Sequence, residues 1–598
     1  MKTVLLSGNE AVARGAWEAG VEVAAAYPGT PSTEILQNIA LYDDVYAEWS
    51  ANEKVALDVA IGAAYAGRRA LAAMKHVGLN VASEALFYSS YTGINAGLVI
   101  VTADDPGLHS SQNEQDNRHY ARFSKVPMLE PSDSQEAKDF VKLGLELSEK
   151  YDTPVLLRMT TRTSHSKTAV ALKDRQTQEK RPYTKDVAKY VMIPGNARRR
   201  HVVVEERARQ LGQWAEETDI NRVEMGDSSL GIISGGIAYQ YAREVFPEAS
   251  FLKLGLAWPL PKRLIRDFAA SVERVIVVEE LDPYIEEWVR QLGIKVEGKS
   301  IFPIVNEFTP EQVRASAVEA GLLSQNGTEN TNGRGPGSLP LRPPVLCAGC
   351  GHRDAYWILR KLKVTVNSDI GCYALGVLPP LDATDTVGAM GASIGVAMGM
   401  RRAGLEGKNV ATIGDSTFFH SGLPALASAV YNRTPVTVIV LDNRTTGMTG
   451  HQGHPGTGKT LAGEKTELID IAQVSRAMGV RHVTEVEARN LPGLEKAIRE
   501  AMDTPEPAVV VVRAVCMFES THNREPYTVI AEDCNGCTLC FRIGCPAIAK
   551  SNELDEKSQR PKAWIDPAMC VGCGLCFDVC AHQAIEAGAE KASPVPSR

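Results

Sequence analysis

Long apolar runs are missing from this 598-residue chain, and no stretch reaches the ~18 apolar residues that a membrane span needs. The opening MKTVLLSGNEAVARGAWEAG holds only a three-residue apolar run before polar residues, too short for a signal h-region and unlike a transit peptide. No membrane association and a cytoplasmic location are expected. An excess of basic residues is also lacking: Lys and Arg number 64 against 72 Asp and Glu, a net charge of −8, which gives no footprint for nucleic acid. No dinucleotide fingerprint follows a strand-like run, which argues against a nicotinamide enzyme. What is present is 44% hydrophobic and 23% charged, an ordinary globular composition long enough for about four domains. It includes 12 cysteines, eight of them between residues 534 and 580. In a cytosolic chain such crowding points to metal ligands or redox groups, not disulfides.

The patterning is α/β in successive blocks. Residues 1–175 alternate buried-strand runs, AGLVIVTAD (96–104) and TPVLLRM (153–159), with Ala-rich helical stretches such as NEKVALDVAIGAAYAG (52–67). Residues 176–226 form a charged helical connector whose NARRRH (196–201) reads as a solvated face. A smaller α/β unit spans 227–322, with strand-like LGIISGG and RVIVVEE. Residues 323–344 have linker composition, rich in Gly, Asn and Pro. A second large α/β block covers 345–522, the cysteine-rich module 525–585, and the tail from Gly588 is expected to be disordered.

Within the module the spacings are Cys534-x2-Cys537-x2-Cys540-x4-Cys545-Pro546 and Cys570-x2-Cys573-x2-Cys576-x3-Cys580. Three thiolates at three-residue intervals can wrap one face of a cubane, while the fourth of each run crosses to the other cluster. This assigns Cys534, Cys537, Cys540 and Cys580 to one 4Fe–4S cluster and Cys545, Cys570, Cys573 and Cys576 to a second. The module resembles a bacterial two-cluster ferredoxin, with an extra residue before Cys545 and Ala581 where Pro is usual. Structural zinc on four thiolates would also satisfy C-x2-C spacing. The doubled register of eight cysteines favours iron–sulfur.

Gly414-Asp415-Ser416 follows the strand-like NVATI, and Asp442-Asn443 ends VTVIVL. Strand ends separated by one helical crossover lie side by side in a parallel sheet, so their side chains can converge on one cation. The pair resembles the thiamine diphosphate signature, with Ser416 in place of the second Gly and Asp442 in place of the first Asn. The resemblance implies that Asp415 and Asn443 bind Mg²⁺ through side-chain oxygens and Thr445 through its carbonyl. Enzymes of this kind also need a glutamate against the aminopyrimidine, from another domain. Glu53, in EWSANEKVALDVAIGAA, opens a helix after the strand-like VYAEW; on its own it reads first as an N-terminal helix carboxylate favouring the macrodipole, and the accompanying motifs reverse that preference.

Together AYPGTPSTE (26–34), Glu53, CAGCGH (347–352), GDS, DN and the fused ferredoxin module resemble the 2-oxoacid:ferredoxin oxidoreductases over essentially the whole chain. That resemblance implies two thiamine-binding doubly wound α/β domains, a small α/β domain like the C-terminal domain of transketolase, and an α+β ferredoxin module. It implies the cofactors thiamine diphosphate, Mg²⁺ and two 4Fe–4S clusters. A third, proximal cluster on Cys347, Cys350, Cys372 and Cys516 is also implied, although four buried thiols would look the same in sequence. Thr30 matches a hydroxyl that contacts the 2-oxo acid in relatives, while a Pro-flanked Thr is commonly a turn residue. The implied reaction is oxidative decarboxylation of aryl pyruvates, indolepyruvate or phenylpyruvate, with coenzyme A to aryl-acetyl-CoA and CO2, electrons passing to ferredoxin. The same chemistry on pyruvate or branched 2-oxo acids, and a pure electron-transfer scaffold, are the rival readings. The implied partner is a separate small beta subunit in an α2β2 assembly. Relatives acting on small 2-oxo acids carry an arginine after the strand near 98–102; this chain reads VTADDPGLHSSQNEQDNR, which leaves the substrate carboxylate without a partner.

One further motif, GHPGTGKT (453–460), fits the phosphate-loop consensus G-x-x-x-x-G-K-S/T. A working phosphate loop leaves a strand directly and enters a helix. About ten residues separate this one from the strand that precedes it, so it reads as a Gly-rich loop flanking the thiamine Mg²⁺ site, not as part of an ATPase.

Overall fold

The computed structural model describes residues 2–324, 343–520 and 525–588. The chain forms two compact units, the first of residues 1–335 with 461–463 and the second of residues 336–460 and 464–598. Most of the expected 323–344 linker and the tail beyond Gly588 lie outside the described residues. Among the described residues no helix is long and apolar enough to cross a membrane.

In the first unit a seven-stranded sheet carries the order Leu256–Trp258, Met128–Leu129, Val155–Thr160, Leu98–Asp104, Ala70–Lys75, Val23–Ala26, Tyr46–Trp49. All but the first of these run parallel. Leu98–Asp104 and Val155–Thr160 are buried along their whole length, as strands covered by helices on both faces must be. The helices are closed by local signals. Ser7 and Glu10 form a reciprocal capping box on Gly8–Glu18, and Asn52 Oδ1 accepts from Val55 N at 2.9 Å to start Glu53–Tyr65.

The boundary expected at 226–227 does not separate two independent sheets. Arg222–Glu224, assigned by sequence to the connector, is the antiparallel edge of the small four-stranded sheet, beside Ala249–Leu254, Asp227–Gly235 and Val275–Val278. Leu256–Trp258, assigned to the small domain, pairs antiparallel with Met128–Leu129 of the large sheet. Each edge is thereby covered by a short strand from the neighbouring segment, which removes an open row of backbone donors. The Arg run also differs from its sequence reading: Arg198 and Arg199 are exposed, but Arg200 donates to Tyr91 O at 2.6 Å and to Asp152 Oδ2 at 2.8 Å.

In the second unit six parallel strands run Thr386–Val387, Thr365–Ser368, Asn409–Gly414, Thr437–Asp442, Ala508–Arg513, His482–Glu487. Counted along the chain this is the order 2-1-3-4-6-5, the same order as the six parallel strands of the first sheet. Both sheets therefore reverse direction between their first and third strands, and in such folds ligands sit outside the carboxyl ends at that reversal. The cysteine module follows as two antiparallel ribbons, Tyr527–Val529 with Ile585–Ala587 and Ile548–Leu554 with Pro561–Ile565.

Candidate functional site

The reversal in the second sheet places Asp415 directly after Asn409–Gly414, and Asn443 directly after the adjacent strand Thr437–Asp442. Asp415 is buried. Its Oδ1 accepts from Ser416 N at 3.0 Å, while its Oδ2 accepts from Arg444 N at 2.7 Å and lies 3.1 Å from His454 Nε2. Burial works against ionisation of Asp415, but the hydrogen bonds and charge supplied by His454, Ser416 N and Arg444 N outweigh it and hold the carboxyl below its usual range. Asn443 Oδ1 accepts from Thr445 N at 3.2 Å, and its amide nitrogen faces His352 Nε2 at 3.4 Å. Burial pushes His352 down to about 4, so at neutral pH the ring is uncharged and can accept from that amide. An ionised carboxylate, a carboxamide oxygen and a nearby backbone carbonyl are hard oxygen donors of the kind Mg²⁺ takes. The residues present fit the ion.

Asp442, the departure from the expected Asn, is compensated by charge. Burial and the neighbouring Asp415 push its carboxyl up to about 6. Arg513 Nη1 at 2.6 Å and Arg444 Nε at 3.2 Å pair with its Oδ2. Ser416, the other departure, is buried and accepts from Thr446 Oγ1 at 3.0 Å. Residues 453–460 form a loop separated by ten residues from the strand ending at Asp442, and the helix after it is Ile471–Ala477. This loop supplies His454 to Asp415, and Gly456 O accepts from Arg444 Nη1 at 3.0 Å. Sequence reasoning missed His352, His454, Arg444 and Arg513. His352 stood inside CAGCGH, but nothing in the spacing said which strand end it would meet.

Cys347, Cys350, Cys372 and Cys516 line one cavity, together with His352 and Asn443. Cys516 N donates to Asn443 O at 3.0 Å, which ties this cavity to the strand end that carries the oxygen donors. In the cysteine module one cavity is lined by Cys534, Cys537, Cys540 and Cys580, and another by Cys545, Cys570, Cys573 and Cys576. Burial, reinforced by the neighbouring thiols, pushes Cys350, Cys540 and Cys576 up to about 12 and Cys372 up to about 11. Sulfurs so placed give up their protons readily only to a positively charged core, and four soft donors around each cavity fit an iron–sulfur cluster. Cys350 also lines the second of the module's cavities. Arg353 holds the two regions together: Nη1 donates to Ile543 O at 2.7 Å and to Gly544 O, just before Cys545, and Nη2 donates to Leu346 O and Cys347 O.

In the first unit Glu53 opens the helix Glu53–Tyr65 and is buried. A Cβ placed on Gly78 would lie 2.7 Å from Glu53 Oε1, so this glycine is what lets the carboxyl occupy its position. Thr30 is half-buried, in the loop after Val23–Ala26, and its carbonyl accepts from Ser110 Oγ at 3.2 Å.

Comparison with known proteins adds the family. Residues 14–221 match a family described as pyruvate flavodoxin/ferredoxin oxidoreductase, thiamine diphosphate-binding; residues 369–512 match the C-terminal thiamine pyrophosphate-binding domain of thiamine enzymes; residues 564–585 match a 4Fe–4S binding domain. The chain is similar to the indolepyruvate oxidoreductase subunit IorA of Archaeoglobus fulgidus, 41% identical over 98% of this chain and 97% of that one. The IorA subunit of Pyrococcus horikoshii is 42% identical over 98% of this chain and 96% of its own. The 2-oxoglutarate synthase subunit KorA of Methanothermobacter thermautotrophicus is 25% identical over 46% of this chain and 86% of its own. Near-complete likeness to one subunit type, joined to thiamine-binding and 4Fe–4S domains in one polypeptide, places the chain in the indolepyruvate oxidoreductase alpha-subunit (IorA) family of the thiamine diphosphate-dependent 2-oxoacid:ferredoxin oxidoreductases.

Proposed function

We propose that this alpha subunit oxidatively decarboxylates aryl pyruvates, indolepyruvate and phenylpyruvate, with coenzyme A to aryl-acetyl-CoA and CO2, and passes the electrons to ferredoxin. The observation that carries the reading is that Asn443, at the oxygen-donor strand end, also lines the four-cysteine cavity, so a cofactor held at one would lie against a cluster held at the other. When bound, thiamine diphosphate supplies the electron sink that loss of CO2 from a 2-oxo acid requires. Asp415, Asn443 and the Thr445 carbonyl hold Mg²⁺, with Gly414 and Ser416 shaping the turn under the diphosphate. Glu53 would hold or give up a proton against the cofactor's aminopyrimidine, and Thr30 would contact the substrate. Arg444 N and His454 hold Asp415 ionised and oriented in the interim. Cys347, Cys350, Cys372 and Cys516 would hold a proximal 4Fe–4S cluster, Cys545, Cys570, Cys573 and Cys576, whose cavity Cys350 also lines, a second, and Cys534, Cys537, Cys540 and Cys580 a third; bound there, such clusters would supply one-electron carriers. The working enzyme is a cytosolic α2β2 assembly with a small beta subunit.

The test is anaerobic reduction of a viologen dye by the chain co-produced with its beta subunit. Reduction should require both a 2-oxo acid and coenzyme A, and kcat/KM for indolepyruvate should exceed that for pyruvate by at least about 100-fold, the scale on which a pocket distinguishes large apolar side chains. Pyruvate used as well as indolepyruvate would overturn the aryl assignment.

The Glu53 role carries a second expectation. In Gly78→Ala the new methyl displaces only the end of a flexible side chain, so the fold should survive while the carboxyl moves. A displacement on that scale costs on the order of 10- to 100-fold in kcat. An unchanged thermal midpoint with reduced kcat would support the role; unchanged kcat would remove it.

A further inference from the structure

The first sheet reverses between Val23–Ala26 and Ala70–Lys75, the position at which the second sheet carries Asp415. Two things meet there. The loop Tyr27–Thr30 leaves the first of these strands, and Lys75 is the last residue of the second. They touch: a Cβ on Gly29 would stand 3.0 Å from Lys75 Cβ, so the lysine stem lies flat against the backbone next to Thr30.

Lys75 is 8% exposed, and its ammonium has an unusual set of partners for that burial. Nζ donates to Ser110 O at 2.6 Å and lies 3.3 Å from Ser110 Oγ. Among the described residues no carboxylate lies within ion-pair distance of it. Three other buried cations of the same unit are matched, Lys138 with Glu18 at 2.8 Å, Lys253 with Glu136 at 2.6 Å and Arg69 with Glu149 at 2.8 Å, whereas Arg207 is held by the carbonyls of Asp152 and Ser90. Asp105, the nearest acidic influence, is occupied elsewhere; its Oδ2 accepts from Ser110 N and Ser111 Oγ, and its Oδ1 from Thr161 Oγ1. Burial pushes Lys75 down to about 8 against the pull of Asp105. A charge so desolvated, and balanced only in part by Asp105, is stabilised further by an arriving anion. Ser110 is exposed and its Oγ donates to Thr30 O, so Lys75 and Thr30 are joined through one exposed residue.

We infer that Lys75 is the cation that receives the carboxylate of the 2-oxo acid. The assignment rests on the 2-oxo acid reading given above. It predicts a role in ground-state binding: the ammonium pairs with a group that must leave, so its loss should raise KM far more than it lowers kcat.

The test uses two inert ligands on the assembled alpha–beta complex: phenyllactate, which keeps the carboxylate but has no 2-oxo carbon to react, and 3-phenyl-1,2-propanediol, in which a hydroxymethyl group replaces that carboxylate. Inhibition constants and direct calorimetric binding are measured for wild type, Lys75→Met and Lys75→Arg. Lys75→Met should weaken phenyllactate by on the order of 100-fold and leave the diol within about two-fold, and Lys75→Arg should recover at least about ten-fold of the loss. Equal weakening of both ligands would make Lys75 a prop for the Ser110 loop, and unchanged phenyllactate binding would remove it from the site; either overturns the inference. Should Lys75→Met not assemble, Lys75→Gln, which is one bond shorter but keeps a donor for Ser110 O, gives the same ratio. Wild type that prefers phenyllactate through Lys75 yet reduces no dye with any 2-oxo acid would uphold the carboxylate site and overturn the enzymatic reading instead.

Discussion

Asp415→Ala should abolish 2-oxo acid-dependent dye reduction, by on the order of 10³-fold or more, while the iron content of the complex stays at its wild-type value. Removing one preorganised electrostatic group from a buried site costs 10² to 10³ in rate, and this side chain serves two purposes at once. As a ligand it supplies the one full negative charge among the proposed Mg²⁺ donors. As an acceptor it anchors Arg444 N and His454, and through them the loop of residues 453–460. The alanine leaves those donors unmet and leaves Asp442 as the remaining acid beside two arginines. Asp442 is expected to ionise more readily in the variant, because the repulsion that raises its carboxyl comes partly from Asp415. Thiamine diphosphate content of the purified complex separates the outcomes. Loss of cofactor with iron retained places Asp415 at the diphosphate; full activity would remove the strand ends from the site altogether. Asp415→Asn is the finer probe, since it keeps the acceptor for Arg444 N but not the charge.

Much of this was legible before any coordinates. The buried strands announce themselves because parallel sheets covered on both faces need unbroken Val, Ile and Leu runs, and VTVIVL and LVIVT leave no alternative reading. The cysteine groupings could be written down because cluster ligands recur at fixed short intervals. What stayed hidden is whatever depends on strand order. The shared 2-1-3-4-6-5 arrangement cannot be read from either half, since crossover length does not say which edge a strand joins. Hence the two short strands that cross the expected boundary near residue 226 went unseen, and hence the silence about Lys75. In sequence Lys75 is one residue in AAMKHVGLN; only the reversal between Val23–Ala26 and Ala70–Lys75 sets it beside Gly29. Compensation was hidden for the same reason. Asp442 looked like a defect in the motif because Arg513, 71 positions away, gave no sign that it would pair with that carboxylate.

Glu53→Gln should lower kcat by about 10² to 10⁴-fold, the range expected when a positioned acid–base group is lost, with little change in thiamine diphosphate content or thermal midpoint. The substitution preserves volume at a buried position and keeps the N-cap, because Asn52, not Glu53, holds the first turn. Its helix-dipole contribution is at most about 1 kcal/mol for an acid in the first turn, so a carboxyl kept only for the macrodipole predicts a small loss of stability and undiminished turnover. The two explanations thus move different observables. Gly78 strengthens the distinction. A residue there with any side chain would collide with the Glu53 carboxyl, whereas a carboxyl needed only for helix stability could lie in other rotamers and would set no such demand on a neighbouring helix. If Glu53→Gln and Gly78→Ala both depress kcat, the double variant should be little worse than Glu53→Gln alone, because both act on one group. Additive losses would mean that Gly78 serves the fold, and the case for Glu53 would then rest on its own substitution.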